Sequence, residues 1–212
     1  MKSKSKNLAI ATATAAGAAP AVAAINFTSL DPALIANASS SQNVYFSLND
    51  GTASNDSFTT SNDKFGLNFF GNKSLKPQIT SRDGDVILSQ SGYAANLSQG
   101  DTISSSGSFI SGSGLAGAII NSEGQNDANW VAGTRGYLGL RFDNSGTENY
   151  GWADVEYTSS ETLVLYGFAY EDSGEAIAAG AVPEPSSAAL LAALAAGSAA
   201  MLRRRRAACV DA

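Results

Sequence analysis

An all-β body is what this sequence of 212 residues predicts: a single domain of β-sandwich or jelly-roll type between two apolar termini. Three observations carry that expectation. Apolar runs of strand length alternate with clusters of Gly, Asn, Asp and Ser. The stretch from Gly136 to Tyr170 alternates apolar and polar residues with period two. No long helical period appears between residues 25 and 181. A body of that length suits one domain with its own core.

The elements follow in chain order. From Ile25 to about Ser61 the chain is rich in Ser, Asn, Asp and Thr, with one apolar run, Val44 to Leu48, closed by the turn signal Asn49-Asp50-Gly51. That pattern reads as an edge strand and a loop. Phe65-Gly66-Leu67-Asn68-Phe69-Phe70 ends at Gly71-Asn72 and predicts a strand, and Val86-Ile87-Leu88 predicts another behind Asp83-Gly84-Asp85. Ser104 to Gly117 fits either a flexible loop or strands of small residues. Leu138, Leu140 and Phe142 alternate with Tyr137, Gly139 and Arg141, and a polar loop from Asp143 to Asn149 leads to a second strand from Tyr150 to Tyr157. This hairpin should turn Leu138, Leu140 and Phe142 to the core. Leu163 to Tyr170 adds a third strand and makes a meander. In the middle strand Ala153 and Val155 point inward, while Trp152 shares the other face with Asp154 and Glu156, at a sheet edge.

Missing residue types narrow the chemistry. The chain has no histidine, which excludes a Ser/His/Asp triad, a histidine general base and a histidine-ligated zinc. Its single cysteine, Cys209, lies near the C-terminus, so the body has no disulfide and no thiol nucleophile. Carboxylate pairs and carboxylate-bound calcium remain. Asp83 and Asp85 flank a glycine and are the one weak calcium candidate, with a plain turn as the simpler reading. Asp143 to Glu148, with Asp154 and Glu156 nearby, reads as a solvated hairpin tip. Trp130 and Trp152 are candidate sugar contacts, because indole faces stack on sugar rings. Five Asn-x-Ser/Thr sequons, at Asn26, Asn37, Asn55, Asn72 and Asn96, are matches that a body this polar generates by chance.

Both termini read as targeting segments. Lys2, Lys4 and Lys6 precede a weakly apolar run, Leu8 to Ala19, and Pro20 leads to Ala21-Val22-Ala23-Ala24, with small residues placed for cleavage after Ala23 or Ala24. Residues 1–24 are therefore a signal peptide. At the other end Val182-Pro183-Glu184-Pro185 should be an extended strip, since proline disfavours helix in the residue before it. An alanine-rich run follows, carrying Leu190, Leu191, Leu194, Met201 and Leu202, and then Arg203, Arg204, Arg205 and Arg206. At about 1.5 Å per residue that run is a short membrane-spanning helix, and the arginines should stay on the cytoplasmic side.

With the termini set aside, residues 25–181 hold 6 basic and 17 acidic residues, a net charge of −11. So acidic a body disfavours nucleic acid and favours solubility or a cationic partner.

The order of strip, apolar run and arginine cluster over residues 182–206 resembles the PEP-CTERM sorting signal of bacterial exosortase substrates; residues 207–212 form a short tail beyond it. The resemblance implies export by the Sec machinery, removal of the leader by signal peptidase and transient anchoring in the inner membrane. It further implies recognition by exosortase, cleavage near the motif, and transfer to the cell surface or release. Tyr137 to Phe142, Tyr150-Gly151-Trp152-Ala153, Phe168 to Glu171 and Ile177 to Gly180 are also similar to the C-terminal half of ectodomains found ahead of this signal, which implies no enzymatic role. The expected function is a structural or adhesive part of the envelope or an exopolysaccharide-rich matrix, with no cofactor and no catalysis. A carbohydrate-binding module is the alternative, and a carboxylate-dependent glycosidase the weaker one.

Overall fold

A computed structural model describes residues 24–55, 65–70, 76–81, 86–90, 93–111, 118–119, 130–158 and 162–183. The predicted signal peptide up to Ala23, Asp83, Asp85, Glu184, Pro185 and the apolar run with its arginines lie outside the described residues. Within them the protein is all-β. In chain order the strands are β1 (Ile25–Asn37), β2 (Val44–Ser47), β3 (Thr52–Ser54), β4 (Phe65–Phe70), β5 (Lys76–Ser81), β6 (Val86–Gln90) and β7 (Tyr93–Ala94). There follow β8 (Thr102–Ile103), β9 (Phe109–Ser111), β10 (Ala118–Ile119), β11 (Thr134–Asn144), β12 (Thr147–Tyr157), β13 (Thr162–Glu171) and β14 (Ile177–Ala178). Among the described residues no helix is long and apolar enough to cross a membrane.

The larger sheet runs β1-β13-β12-β11-β6-β7, with β9 also on β6; the second runs β10-β5-β4-β2-β3, and β14 pairs with β8 in a short ribbon. One core joins the two main sheets. Leu138, Leu140, Phe142, Ala153, Val155, Leu163, Leu165 and Phe168 of the larger sheet meet Val44, Phe46, Phe65, Leu67 and Ile79 of the second. Phe46 sits at the centre, with ring centroids 5.6 Å from Phe65 and 5.3 Å from Phe168. The opposite face of the larger sheet packs separately: Tyr150, Trp152 and Ala169 bury against Ile103, Ile177 and Ala179 of the short ribbon and its flank.

A bulge keeps β13 useful on both of its halves. Asp154 faces Gly167 while Val155 faces Leu165, so Tyr166 is the extra residue. Without that insertion, strict alternation would turn Leu163 and Leu165 to one face and Phe168 and Tyr170 to the other. With it, all four join the same core.

Three expectations change. Val44 to Leu48 does not form an edge strand, because β2 lies between β3 and β4. The polar stretch ahead of it is not loop: β1 spans 13 residues and pairs with β13 along most of its length. The hairpin loop is far shorter than Asp143 to Asn149. Asn144 pairs with Thr147, leaving only Ser145 and Gly146, at φ values of 57° and 88°, as the turn. Positive φ at both central residues is the two-residue turn whose twist matches the flanking strands.

Candidate functional site

The site is built on the outer face of the larger sheet, where the bulge and the end of the domain meet. Across β1, β13, β12 and β11 the register places Phe27, Ala169, Trp152 and Gly139 in one row, and Ser29, Gly167, Asp154 and Tyr137 in the next. Large side chains alternate with small ones along the first row. The small neighbours let the Trp152 ring lie across the sheet, where it meets Tyr137 edge-on at 5.3 Å and Phe27 at 5.8 Å between centroids. Gly167 keeps β1 close, since a Cβ there would stand 2.7 Å from the Thr28 carbonyl oxygen.

These residues line a groove of about 280 Å³ with Leu30, Arg135, Tyr166, Gly180 and Val182. Arg135 stands diagonally across the hairpin from Asp154. Its Nε and Nη2 donate to the two carboxylate oxygens at 2.8 and 2.7 Å, and its guanidinium carbon lies 3.7 Å from the centre of the Tyr166 ring. Tyr166 in turn donates to Glu156 at 2.6 Å. The hydrogen bonds to Asp154 raise the Arg135 pKa further. Burial, then the charge of Asp154, raises that of Tyr137; the bond to Glu156, then burial, raises that of Tyr166. Asp154 and Glu156 lie two residues apart on one strand, and each already accepts a hydrogen bond. What the groove offers is aromatic side chains beside the planar Arg135–Asp154 pair.

The last described residues are tied into the same place. Trp152 Nε1 donates to the Ala181 carbonyl at 3.1 Å. Gly180, at φ 75°, passes so close to Tyr137 that a Cβ would lie 2.8 Å from its ring. Val182 then lies on the groove lip, 46% exposed, and Pro183 is exposed after it.

The two tryptophans predicted as sugar contacts are both buried. Trp130 is 0% exposed in the main core, and Trp152 is 2% exposed beneath Phe27 and Tyr137. Neither indole presents an open face, and Trp152 stands on a central strand rather than at an edge, because β13 and β1 extend the sheet beyond it. The exposed ring is that of Phe27, at 41%. At the hairpin tip Asp143 accepts from the Gly146 amide at 3.0 Å, and Glu148 pairs with Arg141 at 3.5 Å and accepts from Tyr150. Among the described residues no three carboxylate, histidine or cysteine groups converge on a metal position.

Sequence reasoning missed Arg135, Tyr166 and Phe27. The Arg135–Asp154 diagonal was within reach, because setting the turn at Ser145-Gly146 fixes the hairpin register. Phe27 and Ala181 carried no local signal, since both arrive at Trp152 from distant segments. The chain matches no protein-family model, and no curated protein or solved structure is significantly similar to it.

Proposed function

We propose that this chain is an exported protein of the envelope or extracellular matrix, sorted through an exosortase-type signal at residues 182–206, with a structural or adhesive role and no catalysis of its own. The core shared by the two main sheets supports reading residues 25–181 as one β-sandwich. One observation carries the sorting reading beyond the sequence. The proposed processing boundaries lie beside tied backbone at both ends of residues 25–181. β1 starts at Ile25, directly after the small residues of the proposed leader, and the Trp152 bond to Ala181 ends the tied backbone directly before Val182-Pro183.

The test is the intact mass of the protein recovered from medium, surface wash and inner membrane of its own host. The expected surface or released form begins at Ala24 or Ile25 and lacks Arg203 to Arg206, and Glu184→Ala leaves the precursor in the inner membrane. Recovery of the full-length chain alone, from the inner membrane alone, would overturn the reading.

The carbohydrate-binding alternative draws support from a single feature, the exposed ring of Phe27 beside the planar Arg135–Asp154 pair. It predicts retention on the host's exopolysaccharide that Phe27→Ala abolishes, and equal retention of the two proteins would remove it. The glycosidase alternative needs two carboxylates facing each other across a cleft, whereas the groove is lined by Asp154 alone, with Glu156 two residues along the same strand.

A further inference from the structure

We infer that Trp152, Tyr137 and Gly180 form a clamp that bounds where the mature chain can end: the segment from Ile177 to Ala181 is withheld from a protease, and the exposed residues Val182 and Pro183 follow it directly. This assigns a bound to the processing site and rests, for its biological use, on the sorting reading above.

The backbone leading to the clamp is tied at Ile177, Ala179 and Ala181. Ile177 and Ala178 pair with Ile103 and Thr102. The Ala179 amide donates to Asp101 at 2.8 Å, and its carbonyl accepts from Gly100 at 2.9 Å. The Ala181 amide donates to the Ala178 carbonyl at 3.0 Å, and the Ala181 carbonyl accepts from the Trp152 indole. Ile177 and Ala179 are buried, whereas Val182 and Pro183 are exposed.

A protease binds its substrate as an extended strand and needs free amide and carbonyl groups on both sides of the bond it cuts. Ile177, Ala179 and Ala181 can supply neither without local opening. That opening must break the indole hydrogen bond and lift Gly180 from the Tyr137 ring, so cutting there follows the small population of the open form. Val182 and Pro183, both exposed, need no such opening. The body thus acts as a stop that protects its own C-terminal strand while leaving Val182 and Pro183 available.

The clamp can be tested on the full chain in detergent, without the host's sorting enzyme. An elastase-type endopeptidase, which cuts after small aliphatic residues, is added, and the C-termini of the products are mapped by mass against time. Wild type should retain all residues through Ala181. Trp152→Phe keeps an aromatic ring but removes the N–H, and cutting after Ala178 or Ala179 should rise about ten-fold, the effect of losing one part-buried hydrogen bond. Gly180→Ala, which collides with Tyr137, should do the same by another route, so a folding failure of one variant leaves the other to decide. Equal rates at these bonds in wild type and in both variants would overturn the clamp, as would trimming of wild type to before Ile177. In the host, wild type should end at or beyond Val182 and Trp152→Phe should show ragged ends upstream. If the tail is never removed there while the added protease still stops at Ala181, the sorting reading fails and the clamp stands.

Discussion

On its inner face the larger sheet presents Leu138, Leu140, Ala153, Val155 and Phe168 to a second sheet of matching apolar residues. On its outer face Trp152 and Tyr150 share the surface with Arg135, Asp154 and Glu156. The same strands carry both, because alternate residues point to opposite sides. The inner face needs only apolar area and good fit, so its contribution is large and non-directional. Among the described residues the outer face is covered by a two-strand ribbon and the end of the domain, and it combines a smaller buried cluster with directional contacts. The difference teaches where stability and where function-related geometry reside: the inner face holds the fold, and the outer face holds the C-terminal segment.

The largest expected effect tests the inner face. Phe46 is 0% exposed and stacks between Phe65 and Phe168, so Phe46→Ala should lower the unfolding free energy by about 3–5 kcal/mol. Urea unfolding of the full chain in detergent, followed by indole fluorescence, measures it. A loss below about 1 kcal/mol would mean that the two sheets do not share a close-packed core, and the comparison would collapse.

How much of each face was legible follows from what sets it. The inner-face residues Leu138, Leu140 and Phe142 declare themselves by alternation, as do Ala153 and Val155, and all five are buried. Trp152 was placed on the right face with Asp154, but its exposure was not readable, because Phe27, Tyr137 and Ala181 cover it from three separate stretches of chain. β1 was read as loop since Asn26, Thr28 and Ser29 lack an apolar rhythm; it becomes a strand only because β13 offers a partner along its length. The Tyr166 bulge is likewise invisible locally, being a property of two register pairs. Within the proposed sorting signal only Val182 and Pro183 fall among the described residues, so that assignment stands on sequence order.

A smaller effect should appear at alkaline pH, mostly from the outer face. Burial first of all raises the pKa of Tyr137, Tyr150 and Tyr170, and the bond to Glu156 raises that of Tyr166; all but Tyr170 belong to the outer face or the groove. The sign follows from linkage. Below the unfolded phenol value of about 10 both states are neutral and stability is complete. Above it the unfolded chain ionises first, so stability falls as pH rises toward and through the raised folded values. Unfolding midpoints should therefore decline from about pH 10 upward, and Tyr150→Phe with Tyr166→Phe should flatten the decline. An unchanged slope in the double variant would shift the cause to Tyr137 and the inner-face Tyr170.

The smallest effect belongs to the ion pair that looks strongest in the groove. Arg135 and Asp154 form a two-pronged contact, yet the arginine side chain is 52% exposed, so water and salt screen it and its ordering offsets part of the gain. A double-mutant cycle of Arg135→Met and Asp154→Asn should give a coupling of about 0.5 kcal/mol, falling further as salt is raised. The guanidinium also rests on Tyr166, so Arg135→Met alone should weaken more than the pair, and the cycle removes that contribution by difference. A coupling above about 2 kcal/mol that survives high salt would show the pair to be shielded from water. The outer face would then be a second core, held by charge where the inner one is held by apolar contact, and the division of labour between the two faces would have to be abandoned.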